Sequence, residues 1–353
     1  MLPKEMLKDT GEWLRGGGPD AEIVISSRIR FARNIQGYRF ITKMTPEERA
    51  RCEELVRRKF MDAHVVPAGR YLELAEADPL DRKLLVERHL ISKEHEDAHH
   101  HRAVAIGEGE ALSIMINEED HIRLQVLQSG FHLKAAFKLA SETDVRLEDV
   151  LDFAFSPQLG YLTACPTNVG TGMRVSVMMH LPALVITRHI EKVFQAVSKI
   201  NLAVRGLYGE GTEASGHFYQ ISNQVTLGRT EEEIIKNVEQ VIPTIVNYER
   251  RAREDLMSKD PVRLEDRVWR AYGMLQAARI MSSDESMMML SFVRMGVHLG
   301  LLPQLNIRTV NELFLYSQPA HLQRLMNAPM EAEDRDIKRA MLIREKLNGH
   351  KNV

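Results

Sequence analysis

The sequence is short of several things, and each shortage excludes a class. Only two cysteines, Cys52 and Cys165, stand in 353 residues, with no CxxC pair and no closely spaced even set. A disulfide framework is therefore not encoded, and free thiols in a reducing compartment, the cytoplasm, are expected. An excess of one charge sign is also missing: 47 Lys and Arg against 49 Asp and Glu leave a net charge of −2. No global attraction to nucleic acid or anionic lipid follows, no basic stripe marks a DNA-binding module, and any polyanion site must be local. Apolar runs fall short of the roughly 20 residues of a spanning helix, and the opening MLPKEMLKDTGEW alternates charge and hydrophobe, unlike a signal peptide or anchor. The GxxxxGK[ST] loop and the HRD and DFG triplets are absent, so a bound nucleotide would have to be held by arginines.

With 44% hydrophobic and 27% charged residues the chain is an ordinary globular one with room for two domains. Two textures divide it near Lys259-Asp260-Pro261. Before that point, residues 22–31, 111–117, 122–128, 174–180 and 218–222 have strand character. Thr45-Pro46-Glu47-Glu48 reads as an N-cap, first-turn proline and capping-box acid starting a helix toward Phe60. Residues 184–202 and 231–253 have helical spacing. Only four residues separate strands 111–117 and 122–128, which implies a hairpin. The fold class expected is α+β: an antiparallel sheet flanked by helices over residues 1–258, then an all-α region over 259–353. In that second part Ser282-x-x-Glu285 and Thr309-x-x-Glu312 read as capping boxes, Pro319 and Pro329 as first-turn prolines, and Gly349 as a C-cap. The stripe Met287, Met288, Met289, Phe292 and Met295 reads as core, and Gly16-Gly17-Gly18 as a flexible lead-in.

Arg28 and Arg30 lie two apart on the first strand and so share a face. Arg123 and Arg174 open two further strands, and Arg205 precedes a glycine-rich loop. Surface arginines paired to carboxylates would satisfy this pattern, and so would a guanidinium cradle for a triphosphate, since the planar fork binds phosphate oxygens in pairs and keeps its charge. Asn117-Glu118-Glu119-Asp120-His121 sets three acids in a tight turn, and the loop around Glu210 has a mobile composition suited to closing over a ligand. Cys165 is followed by Pro166 and an Asn168-x-Gly170 turn before Arg174, a rigid presentation of a thiol near positive charge, although a buried inert cysteine fits as well. His95 and His99 have helical metal-ligand spacing, but nothing completes a ligand set, so no metal site is expected.

In combination and order, Ser27-Arg28-Ile29-Arg30, Asn117-Glu118-Glu119-Asp120-His121-Ile122-Arg123, Cys165-Pro166-Thr167-Asn168-x-Gly170-Thr171, Arg205-Gly206 with Glu210, and Ile221-Ser222-Asn223 resemble the catalytic domain of the phosphagen (guanidino) kinases over residues 20–255. The resemblance implies that Arg28, Arg30, Arg123, Arg174 and Arg205 clamp the phosphates of ATP, that Glu119 and Glu210 hold the acceptor guanidinium, and that Cys165 contacts it as a thiolate. It also implies Mg²⁺ between the phosphates. Small-guanidine members resemble one another in carrying a helical domain before the catalytic part; here the Ser-x-Arg-x-Arg strand follows only some twenty-five residues, and a helical segment is added after Pro261. Met178 stands where animal members carry histidine. The missing domain and the added segment are similar to the bacterial protein-arginine kinases, in which arginine side chains of proteins are the acceptors. Arg335-Asp336-x-x-Arg339-Ala340 matches their RDxxRA element, which implies a phosphoarginine-binding allosteric site; by pattern alone a solvated charged face is the simpler reading. Homodimerisation, a zinc-containing activator protein, a heat-shock repressor substrate and a Clp-type ATPase and protease follow from the resemblance only. A small-guanidine kinase and a non-catalytic phosphoarginine-binding module are the alternatives.

Overall fold

The computed structural model describes residues 4–7, 10–63, 65–66, 69–97, 101–206 and 215–349. Eight strands form one antiparallel sheet: β1 (Val24–Arg33), β2 (Arg70–Glu73), β3 (Ala103–Ile106), β4 (Leu112–Ile116), β5 (Ile122–Ser129), β8 (Met173–His180), β9 (Leu202–Gly206) and β10 (Phe218–Asn223). Their spatial order is β2-β3-β4-β5-β1-β8-β10-β9, and β6 (Phe155–Ser156) pairs with β7 (Gly160–Tyr161) in a separate hairpin. The helices are α1 (Pro46–Ala63), α2 (Pro79–Glu87), α3 (Leu133–Glu148), α4 (Pro182–Ile186), α5 (Ile190–Ser198), α6 (Glu231–Lys259), α7 (Pro261–Ala277), α8 (Ser283–His298), α9 (Ile307–Tyr316), α10 (Pro319–Met326) and α11 (Ala332–Asn348). The α+β class expected from the sequence is the class observed.

Period-two alternation decides which face of the sheet is which. Ile29, Phe31, Leu124, Val126, Val175, Val177 and Ile221 are fully buried on one face, which α3 and α6 cover. The other face carries the polar residues. The hairpin joining β4 and β5 closes through Asn117, whose backbone takes the left-handed conformation (φ 60°) and donates to His121 O at 2.9 Å. The capping box at Thr45 forms as expected: Thr45 N donates to Glu48 Oε2 (2.8 Å) and Glu48 N to Thr45 Oγ1 (3.3 Å).

Several expectations are corrected. The single helix expected over 184–202 is two, α4 and α5, because Arg188 takes φ 59°, and Leu202 already begins β9. Arg205 therefore lies on a strand. Strands β2 and β3 have no clean alternation in sequence, since both faces of β3 are buried. Thr309 is buried inside α9, whose cap is Asn306, and Pro329 precedes α11, whose cap is Glu331. Gly16 and Gly17 are fixed, both N–H groups donating to Ser129 Oγ at 3.1 Å. Met287 and Met295 are buried, as a core stripe requires.

The C-terminal helices share one continuous apolar core with the sheet. Polar clamps reinforce it. The Glu87 carboxylate accepts from Ala320 N, His321 N and His321 Nδ1 (2.7, 2.9 and 2.6 Å), capping the start of α10 from α2. A buried relay also crosses the boundary: Arg294 donates to His180 Nδ1 (3.0 Å), His180 Nε2 donates to Ser291 Oγ (2.8 Å), and the Ser291 hydroxyl donates to His217 Nδ1 (2.7 Å). Burial, aided by Arg294, holds His180 well below its usual pKa, so it is neutral and one tautomer satisfies the chain. Ser291→Ala strips a partner from two buried rings and is expected to cost about 1–3 kcal/mol in chemical denaturation. An unchanged midpoint would contradict the relay.

Candidate active site

The strand register brings all five candidate arginines to the polar face. Across the ladders Arg30 stands opposite Arg174 and Gln125, Arg28 opposite Ser176, Ala32 opposite Arg123, and Gln220 opposite both Arg205 and Met178. Directly opposed residues share a face, so Arg28, Arg30, Arg123, Arg174 and Arg205 form one cationic surface spanning β5, β1, β8 and β9. The partners of Arg28 are neutral: Ser176 Oγ (3.2 Å), Gln125 Oε1 (3.4 Å) and Gln220 Oε1 (2.5 Å). Arg174 donates to Ser222 Oγ at 3.3 Å, and the Nε of Arg30 is buried without a hydrogen-bond partner. Burial first, then the neighbouring charges of Arg123, Arg174 and Arg205, pulls the Arg28 pKa down to about 9; burial and three arginine neighbours also depress Arg30. Arg28, a crowded cation with neutral partners, is electrostatically unsatisfied, and a polyanion with many acceptor oxygens satisfies it.

The acidic turn divides its labour. Glu118 is buried and bound by Arg123 Nη1 (2.6 Å), Ser92 Oγ (2.6 Å) and Glu119 N (2.7 Å). Burial works against its charge, but Arg123 and these bonds prevail and bring its pKa down to about 2. Asp120, also buried, accepts from Asn34 Nδ2 (2.6 Å) and Ala164 N (2.7 Å). His121 accepts from Ile35 N through Nδ1 (2.9 Å) and donates to Arg39 O through Nε2 (2.8 Å). Glu119 alone is exposed; partial burial, with Asp120 and Glu118 nearby, holds its pKa above the usual carboxylate range against the pull of Arg123 and Arg30. Three scaffold residues thus present one free carboxylate of raised basicity.

That turn is tied to the thiol. Asp120 grips Ala164, the residue before Cys165, so the carboxylate next to Glu119 positions the thiol loop. Cys165 is half-buried, its sulfur 3.0 Å from Thr167 Oγ1, and the Thr226 hydroxyl lies 2.9 and 2.7 Å from the carbonyls of Thr167 and Val169. Asn223 supports the adjacent β8, accepting from Val175 N (2.8 Å) and donating to Met173 O (3.2 Å). Cys52 is buried in the core, and burial pushes its thiol up to about 12, so it takes no part.

Beside the loop, buried Arg33 binds Asp144 (2.6 Å), stacks on Tyr161 (3.5 Å to the ring centroid) and lies 3.9 Å from Glu231. Burial, with Asp144 and Glu232 adding to it and Arg33 opposing, pushes Glu231 up to about 7. The folded state therefore holds a proton that the unfolded chain releases near pH 4.5, and Glu231 costs stability as pH rises through that window to 7. Glu231→Gln is expected to be more stable than the parent at pH 8, by on the order of 1 kcal/mol, and equal to it near pH 4. Thermal melts at the two pH values check this; a parent that is the more stable at pH 8 would refute it.

Among the sequence candidates, Glu210 lies outside the described residues. His95 is buried and bonded to Ala103 O through Nε2 (2.9 Å), His99 is not among the described residues, and no group of three metal-ligating side chains occurs among those that are. Far along the chain, Arg339 is buried and its guanidinium donates to Ser317 O (2.7 Å), Met281 O (2.8 Å) and Asp336 Oδ1 (2.5 Å). Arg335 is half-exposed and donates to Met330 O at 2.7 Å. Sequence reasoning missed Gln125, Ser176 and Gln220, although the first two sit two residues from Arg123 and Arg174, the spacing that shares a face. It also missed His89, whose ring packs 4.4 Å from Trp13 and whose pKa burial and Arg28 push down to about 3. Gln125 Nε2 donates to His89 O (2.6 Å) at the edge of the arginine cluster.

Residues 51–252 match the ATP:guanido phosphotransferase C-terminal catalytic domain, and the chain belongs to that family. Residues 261–353 match the protein-arginine kinase McsB C-terminal domain. A protein-arginine kinase of Symbiobacterium thermophilum is 50% identical over 340 residues, 96% of either chain, and one of Bacillus mycoides is 44% identical over 353 residues, 99% of either chain. Among solved structures, the duplicated taurocyamine kinase from Schistosoma mansoni with bound transition state analog components superposes with a TM-score of 0.59 at 27% identity, covering 70% of this chain and 37% of that one. Lombricine kinase gives 0.56 at 27% identity, covering 69% and 70%. Among the described residues no helix is long and apolar enough to cross a membrane.

Proposed function

We propose that this chain is an ATP-dependent kinase that moves the γ-phosphoryl group of ATP onto the guanidinium of arginine side chains in proteins. The observation that carries the reading is one sheet face that gathers five arginines, with neutral partners around Arg28, bordered by a single exposed carboxylate fixed beside a thiol loop. A guanidinium has a pKa of about 12.5–13.8 and its nitrogen is a poor nucleophile. Glu119 orients it and accepts the proton as the nitrogen–phosphorus bond forms and the bond from phosphorus to the ADP oxygen breaks. Glu210 supplies the second carboxylate, the Cys165 sulfur stands on a further side, and the five arginines hold the phosphates in line. Mg²⁺ would supply positive charge to the phosphates during transfer, beside the five arginines that hold them.

The test is incubation with ATP, Mg²⁺ and an arginine-rich protein, followed by mass spectrometry that preserves phosphorus–nitrogen bonds. Phosphate on protein arginine is expected. Phosphate on free arginine alone would favour the small-guanidine kinase, and none anywhere the non-catalytic module. Truncation after Asp260 cannot separate these readings, because α7–α11 complete the core.

The finer expectations belong to the same proposal. Arg335 and Asp336 meet a phosphoarginine, with Arg339 positioning Asp336. Exposed Val262, Trp269 and Met274 on α7 support a homodimer, which light scattering with Trp269→Asp tests. The cytoplasmic setting in stress response and the activator, repressor and Clp-type partners rest on the resemblance, and co-purification tests the partners.

A further inference from the structure

The β6–β7 hairpin walls a cleft of about 350 Å³ whose other wall is the stretch from Leu227 to Glu231 that leads into α6. Three large apolar side chains on its rim face water: Phe155 is 56% exposed, Leu159 47% and Leu227 51%. Apolar groups gathered round a concave opening, with Gln158, Arg229 and Glu231 as a polar edge, are the composition of a recognition surface. The cleft is also preformed. Gly160 and Gly170 approach so closely that a Cβ on Gly160 would lie 2.5 Å from Gly170 O, and Arg33 braces both walls through Tyr161, Thr171 O (2.9 Å) and Glu231.

The same backbone carries the thiol. Tyr161 N donates to Gly170 O (2.8 Å) and Gly170 N to Tyr161 O (3.3 Å), closing a loop that contains Cys165, and Thr226, the neighbour of Leu227, fastens that loop from outside. Cys165 is four residues from Tyr161, so their Cα atoms lie within about 14 Å. An extended polypeptide covers that distance in about four residues.

We propose that this cleft is a substrate subsite that takes an apolar side chain, leucine, methionine or phenylalanine, lying within about five positions of the arginine to be phosphorylated. The inference rests on the reading of the acceptor as a protein arginine. It makes Leu159 and Leu227 specificity-determining residues, remote from the transferred group.

Steady-state kinetics of the full chain test it with three acceptors: peptides of one arginine with leucine stepped through the window, the matching serine peptides, and N-acetylarginine amide. At the favoured position the leucine peptide is expected to have a KM about tenfold lower than its serine counterpart with similar kcat. Leu159→Ser and Leu227→Ser, both exposed positions, should erase that difference and leave N-acetylarginine amide unchanged. Equal KM values for leucine and serine at every position overturn the proposal while the kinase reading survives. Equal loss on N-acetylarginine amide overturns it in favour of a structural role. Dissociation of an oligomer by Leu227→Ser with unaltered peptide kinetics assigns the cleft to a second copy of the chain. If no peptide arginine is phosphorylated at all, the kinase reading itself falls.

Discussion

Replacing Glu119 with glutamine is expected to slow phosphoryl transfer by about 10²–10⁴-fold, the usual worth of a positioned general base, while ATP still binds. The separation follows from who holds whom in the acidic turn. Arg123 is bound by Glu118, not by Glu119, which stands exposed with a raised pKa. The neighbouring change Glu118→Gln should do the reverse. It removes the anion that fixes Arg123, Ser92 Oγ and the Glu119 N–H in place, so Arg123 loses its preorganised position and nucleotide affinity falls. Binding calorimetry with a non-hydrolysable ATP analogue, set beside single-turnover rates, checks both. Loss of nucleotide on Glu119→Gln with Glu118→Gln unaffected would reverse the assignment.

Arg30→Ala is expected to produce two effects of opposite sign. Arg30 is crowded by Arg28, Arg123 and Arg174, and its buried Nε has no hydrogen-bond partner. Removing it takes a desolvated cation out of a like-charged cluster, so the nucleotide-free variant should melt above the parent. A charge-assisted bond to phosphate is worth about 1.5–3 kcal/mol, so the same variant should bind ATP about 10- to 150-fold more weakly and show little stabilisation by it. Thermal melts with and without nucleotide read both. A variant that melts below the parent and keeps its affinity would mean that Arg30 is a structural residue rather than part of a clamp.

How much of this was legible in the sequence depended on the range of the interaction. Arg28 and Arg30 announced a shared face because period two acts within one strand. Their union with Arg123, Arg174 and Arg205 required the order β5-β1-β8-β10-β9, which is set by pairing between residues as distant as Arg28 and Ser176, 148 positions apart. The turn at residues 117–121 was readable as three acids, but not its division of labour, since Asp120 acts through Asn34 and Ala164, both distant in sequence. The break between α4 and α5 escaped notice because it rests on Arg188 in a left-handed conformation, with no glycine or proline to mark it. The RDxxRA element was visible as a motif, whereas the burial of Arg339 under Ser317 and Met281 carbonyls is a property of helix packing alone.

The most direct test of the account is a crystal structure of the chain with ADP, nitrate, Mg²⁺ and an arginine peptide, a stand-in for the moment of transfer. Phosphate oxygens are expected within hydrogen-bond distance of Arg28, Arg30, Arg123, Arg174 and Arg205, and the peptide guanidinium on Glu119 beside Cys165. Phosphates bound away from that sheet face, or a guanidinium that avoids Glu119, would contradict it.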